Sequence, residues 1–156
     1  MSGAAVENPP RVRAGVLRRF GAMLYDLLIV VALLFILTAS LLPFTGGEAI
    51  TPGQSGAVER IYQAALLLVV VLFFGMFWTW RGQTIGMLAW RLRVERNDGT
   101  SLTWRDALLR LAGACVSLAA LGLGYFWIWI DRDGLAWHDR LSGTRVVVLP
   151  KKRESG

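Results

Sequence analysis

The sequence predicts an all-α integral membrane protein. It has two transmembrane helices, a third that either spans or is re-entrant and broken, and amphipathic cytoplasmic segments. Three observations predict this. Hydrophobic residues make up 54% of the 156 residues and charged residues only 18%, with a mean hydropathy of +0.48. A soluble domain carries about 25% charged residues. The apolar residues are gathered into three blocks that are almost uncharged. The net charge of +6 comes from fifteen Arg and two Lys, and these flank the blocks. Such flanks suit anionic lipid headgroups and cytoplasmic retention of positive loops, and they set nucleic acid aside as a partner.

Residues 1–14 are small, polar and proline-containing, and read as a disordered cytoplasmic arm. Arg11, Arg13, Arg18 and Arg19 precede the first block. That block, Phe20 to about Leu42, makes a helix of about 34 Å, enough for a hydrocarbon core of about 30 Å. It reads as an uncleaved anchor. The apolar run is longer than a signal-peptide core, and further membrane blocks follow. Residues 43–60 form a loop, broken by two prolines and four glycines. Ile61 to Trp80 is a second span, closed by aromatics and Arg81 at an interface.

Residues 81–106 differ in kind. "RLRVE" alternates with period two, as a half-buried strand does. "NDG" is a turn signal, and "TSLTW" reads as the returning strand. Thr103 with Asp106 approximates a capping box for the next helix. The third block, Leu111 to Ile130 within a span of about 108–130, has no charge. It ends in the aromatic run "YFWIWI", followed by a strand-like "TRVVVL" and a basic tail, 150–156. Residues 15–149 thus form one membrane domain.

Charge places the N-terminus in the cytoplasm, loop 43–60 outside and 81–110 inside. The tail strains this scheme. Three crossings would put it outside, yet it carries six Lys and Arg. Either the third block returns near Gly122–Gly124, or it spans and the later charges are overridden. The expectation adopted is a span. Cys115 is the only cysteine, so no intramolecular disulfide is possible, and it reads as a small packed side chain. The seven tryptophans suit interface anchoring.

An arginine opening the first helix and an aspartate inside it, Arg19 and Asp26, resemble the RDD family of small bacterial membrane proteins. So does "GQTIG", with Gly82, Thr84 and Gly86, followed by "LRV". So does "HDRLSGTRVVV", with His138, Asp139 and Thr144. The arginine and two aspartates that name the family correspond to Arg19, Asp26 and Asp139. The sequence departs from the pattern at Gln83 and Met87, uncharged here where relatives often carry a basic residue. The resemblance implies a multi-pass protein of the bacterial inner membrane and supplies no activity. Transport of unidentified ligands is the usual suggestion for the family.

Arg19 and Asp26 lie seven residues apart, on one helix face and about 10 Å apart along the axis. Helical side chains lean towards the N-terminus, so Arg19 is expected to snorkel to the headgroups. A carboxylate at the bilayer centre costs about 2.5 to 3.5 kcal/mol on insertion scales. Asp26 therefore calls for protonation or a partner from another segment. Arg81, Arg91, Arg110, Arg140 and His138 are candidates, and Thr84 could donate a hydrogen bond. Asp26 is either a structural pin or a titrating, cation-binding group in a transport path. Gly82–Gly86 reads as a tight turn, lacking the context of a phosphate-binding loop. Asp139 is expected in an interfacial ion pair, or bonded to Thr144 or an arginine.

His138 is the only histidine, and no nucleophile–base pair or metal cluster is visible. No enzyme, metal or cofactor is expected. Two functions stay open: a structural, assembly or modulatory membrane protein, or a small proton- or sodium-translocating subunit using Asp26. The partners expected are anionic headgroups and either further copies of the chain or other membrane proteins.

Overall fold

The structure is a computed structural model and describes residues 12–48, 50 and 56–150. Strand β1 (Val12–Arg13) leads into helix α1 (Val16–Leu41), which closes with a 3-10 turn at Leu42–Thr45. Helix α2 (Gly56–Trp80) returns. A short helix α3 (Ile85–Ala89) and strand β2 (Leu92–Arg96) follow. Then come α4 (Trp104–Ala119), α5 (Leu123–Phe126), a 3-10 turn at Trp127–Trp129, α6 (Trp137–Ser142) and β3 (Thr144–Val148). The architecture is that of a helical membrane protein, with a small sheet at one end.

Val16–Thr45 and Gly56–Trp80 are each long and apolar enough to cross a membrane. Only 6% and 17% of their most apolar windows are buried inside the protein. Helices this apolar and this uncovered need lipid as their solvent. The second helix begins at Gly56, five residues before the expected block, so Glu59 and Arg60 are helical. The expected arm is shorter than 14 residues: Val12 and Arg13 pair with β3, and Ala14 is buried. The rest of that arm, residues 51–55 of the loop and the tail beyond Pro150 lie outside the described residues.

The sheet has the order β1–β3–β2, antiparallel throughout. The returning strand is therefore β3, fifty residues further on, and not "TSLTW". The physical reason is local. Asp98 accepts from the backbone and hydroxyl of Thr100, tightening the turn. Thr103 and Asp106 then close a reciprocal cap, as the sequence suggests, and commit the chain to α4. Under the sheet, Leu92, Val94 and Val146 pack with Ala14, Ala22, Trp78, Met87, Leu102 and Ala107.

This sheet also decides the path of the third block. The block is entered from β2 through the turn at Asn97–Gly99 and left through α6 into β3, and β3 pairs with β2 and with β1. The helix breaks where the sequence allows: Leu121 and Gly122 take left-handed φ of 54° and 80°, and the axes on either side differ by 108°. In place of the expected straight span the block is a bent pair of helices, and the strands before and after it, β2 and β3, pair in one sheet.

Candidate functional site: two buried charged centres

The first centre is built on Asp139. It occupies the third position of α6 and accepts from the Ala136 backbone N–H, 3.1 Å away. Its side chain is fully buried. Arg19, in the first turn of α1, donates Nη1 to Oδ2 and Nε to the Ala14 carbonyl at 3.1 Å. Arg110 of α4 donates Nη1 to Oδ1 at 2.5 Å and to Thr144 Oγ1 at 2.8 Å. Its guanidinium also stands 5.2 Å from the centre of the Trp78 ring. Ser142 Oγ donates to the His138 carbonyl and shares a hydrogen bond with Thr144 Oγ1. One carboxylate thus joins α1, α4, α6 and, through Thr144, β3.

The electrostatics follow from this packing. Burial alone would raise the Asp139 carboxyl. The guanidiniums of Arg110 and Arg19 outweigh burial and hold it below the usual carboxylate range. His138, beside it at 3.5 Å, is pushed down to about 3 by burial and by the Arg110 charge. It is neutral at physiological pH and packs against the Tyr125 ring. Two guanidiniums around one carboxylate leave this centre with a formal charge of +1.

The second centre lies seven residues along the same face of α1. Asp26, 4% exposed, accepts from Thr84 Oγ1 at 2.5 Å and from the Gly86 backbone N–H at 2.8 Å. Thr84 is the N-cap of α3, and the same hydroxyl accepts from Met87 N–H at 3.2 Å.

The "GQTIG" element explains itself at this contact. Gly82 has φ +67°, and a Cβ there would stand 2.6 Å from the Val94 carbonyl oxygen. Gln83 Nε2 donates to the Leu92 carbonyl at 2.7 Å. A Cβ on Gly86 would stand 2.1 Å from the Ala22 carbonyl oxygen. Glycine at 86 is what lets α3 rest on α1 closely enough for Asp26 to reach its N–H. The Trp90 ring covers Gly21 in the same interface.

Several expectations need correction. Arg19 does not reach the headgroups. Its side chain leans towards the N-terminus as expected, but there it meets Ala14 and α6. Asp26 takes its hydrogen bonds from Thr84 and Gly86, as the threonine donor suggested, and not from an arginine. Arg110 serves Asp139 instead, Arg140 pairs with Asp131, and Arg81 and Arg91 are exposed. Cys115 is exposed, not packed. Trp80 and Trp129 are open to the surroundings, whereas Trp78 is buried and Trp104 covers Gly75.

Ser142 and Gly113 are positions at this centre that sequence reasoning missed, and Arg110, offered as a partner for Asp26, bonds Asp139 instead. A signal existed for Arg110. The buried face of α4 runs Ala107, Arg110, Gly113, Ser117, small residues at helical spacing with one arginine among them. Gly113 admits His138: a Cβ there would stand 3.0 Å from the His138 Cα.

Two membrane-long helices, a broken third and buried charges tying them to a terminal sheet define a polytopic helical membrane protein. The model of the RDD family matches residues 13–143, and the chain belongs to the RDD family. Thr144 lies one residue beyond the match. A segment of 84 residues, 54% of this chain, is 29% identical to an uncharacterized protein of Rickettsia prowazekii (strain Madrid E). It spans about half of that relative, 47% of its length. No solved structure matches this chain.

Proposed function

We propose that this chain is a non-enzymatic, multi-pass protein of the bacterial inner membrane with a structural, assembly or modulatory role. Its N-terminus and its sheet lie in the cytoplasm. The observation that carries the reading is the use made of the family's charges. Arg19 and Asp139 bond each other, and Asp26 caps a short helix. Each is spent on joining segments of this chain. The orientation rests on the arginines at the sheet end, among them the exposed Arg18, Arg91, Arg105 and Arg132. These also suit anionic headgroups. Further copies of this chain or other membrane proteins are the protein partners this reading takes.

One observation favours a second reading. Asp26 is a buried carboxylate in a spanning helix whose two recorded donors are neutral, and intramembrane carboxylates commonly mark ion paths. Asp26→Asn in proteoliposomes separates the two. The structural role predicts reduced abundance and detergent stability, with proton and sodium flux unchanged from empty vesicles. Flux in the parent protein that Asp26→Asn abolishes at normal abundance would establish translocation instead.

A further inference from the structure

The corner between α4 and α5 carries large apolar side chains with none of the described residues over them. Leu118 is 70% exposed, Leu121 90%, Leu123 58% and Phe126 49%. No charge occurs from Leu111 to Ile130. Leu121, the most exposed of them, also holds a left-handed backbone, φ 54°. A leucine there is strained relative to glycine or asparagine. In water neither the strain nor the exposure has any return. In hydrocarbon, transfer of the leucine side chain offsets the strain.

The depth of the corner follows from its two anchors. Arg110 is tied to Asp139 and Thr144 in the sheet layer. On the returning limb, the Asp133 carbonyl accepts from Arg13 of β1, and Asp131 pairs with Arg140. Between Arg110 and Leu121 the chain rises eleven residues, about 16 Å as a helix. That is close to half of a hydrocarbon core of about 30 Å. The two limbs are tightly joined: Ser117 is fully buried, and a Cβ on Gly124 would stand 2.1 Å from its Oγ. Ser117 Oγ donates to the Gly113 carbonyl at 2.8 Å, so this hydroxyl is satisfied within the wedge.

We propose that residues 111–130 form a re-entrant wedge that enters only the leaflet on the sheet side. Its tip, Leu118–Phe126, is covered by lipid acyl chains. Trp129, 70% exposed, sits on the limb that returns towards Asp131 and Arg132, where an interfacial indole belongs. The occupant is lipid and not a second protein because the apolar surface is continuous around the corner and ends in charge at both bases, as a leaflet requires. This inference does not depend on which face of the membrane holds the sheet, nor on the role proposed for Asp26.

Single cysteines in a Cys115→Ser background test it, in vesicles of phosphatidylethanolamine and phosphatidylglycerol. Ser101→Cys and Pro150→Cys report the two ends of the block, and both are exposed. A membrane-impermeant maleimide should label both from the same face. Bimane on Leu121→Cys, and independently on Leu123→Cys, should lose fluorescence to lipids carrying a doxyl group at carbon 12 and keep it in aqueous iodide. Labelling of the two ends from opposite faces overturns the wedge. Labelling from one face, with quenching by iodide or by neither agent, overturns lipid as the occupant.

Discussion

Arg19 and Asp139 lie 120 residues apart and form a buried ion pair between the first helix and the last. Arg110 completes it from the other oxygen of the carboxylate. A charge buried at such a junction stabilises only while all its partners are present. The Asp139→Asn variant would leave two guanidiniums facing a neutral amide. Breaking a buried pair costs about 3 to 5 kcal/mol, so the variant should lose most of its folded population in mild detergent. Thermal unfolding followed by tryptophan fluorescence checks this, and Asp139→Glu should recover part of the loss.

The Asp26 contact should be weaker. Its partners are a hydroxyl and a backbone N–H, so Thr84→Val removes one donor to Asp26 and the side-chain cap of α3 together. The expected loss is about 1 to 3 kcal/mol. In the same assay it should fall below that of Asp139→Asn. An equal or larger loss would show that Asp26, and not Asp139, governs the stability of the assembly.

At Gly86 the obstacle is backbone. A Cβ would stand 2.1 Å from the Ala22 carbonyl oxygen, which cannot move without moving α1. Gly86→Ala should therefore lift α3 from α1 and cost about 1 to 3 kcal/mol. Gly15 supplies the control, since nothing lies within 4 Å of its would-be Cβ. Gly15→Ala should leave the midpoint of unfolding unchanged.

Acid should destabilise the fold in two stages. His138 sits at about 3 in the folded protein against an ordinary 6.5, through burial and the Arg110 charge. Above pH 6.5 it is neutral in both states and has no effect. As pH falls below 6.5 the unfolded chain gains a proton that the folded one refuses. Stability then drops by up to about 1.4 kcal/mol per pH unit. Asp139 is lowered by Arg110 and Arg19 against the effect of burial, so its contribution is present above the ordinary carboxylate range and is lost below it. Unfolding midpoints between pH 7.5 and 4.5 should decline, and His138→Gln should flatten that decline.

Much of this was legible in the sequence. The length and polarity of Phe20–Leu42 and Ile61–Trp80 announced two spans, because the bilayer reads hydropathy residue by residue. The Thr103–Asp106 cap and the strands at "RLRVE" and "TRVVV" were legible too, since caps and period-two patterns act over a few residues. Thr84 could be named as a donor to Asp26 because its motif was recognisable. The arginine assignments were not legible. Arg81, Arg91, Arg110 and Arg140 are chemically alike, and only the packing of Gly113 on His138 and of Gly86 on Ala22 brings particular charges together.

The sequence by itself determined a helical membrane protein of the RDD type, with most of its arginines at one end of its spans. These are sums over local properties, and neighbouring residues suffice to compute them. Tertiary structure decided the path of the third block and the partners of Arg19 and Asp26. A twenty-residue apolar run is equally compatible with crossing and with returning. The pairing of β3 with β1 and β2 favours the return, because the strands before and after the block are hydrogen-bonded in one sheet. In the same way, a buried carboxylate requires donors but does not name them. Asp26 received its donors from a helix start and Asp139 from two guanidiniums, according to which backbone glycine allowed to come close.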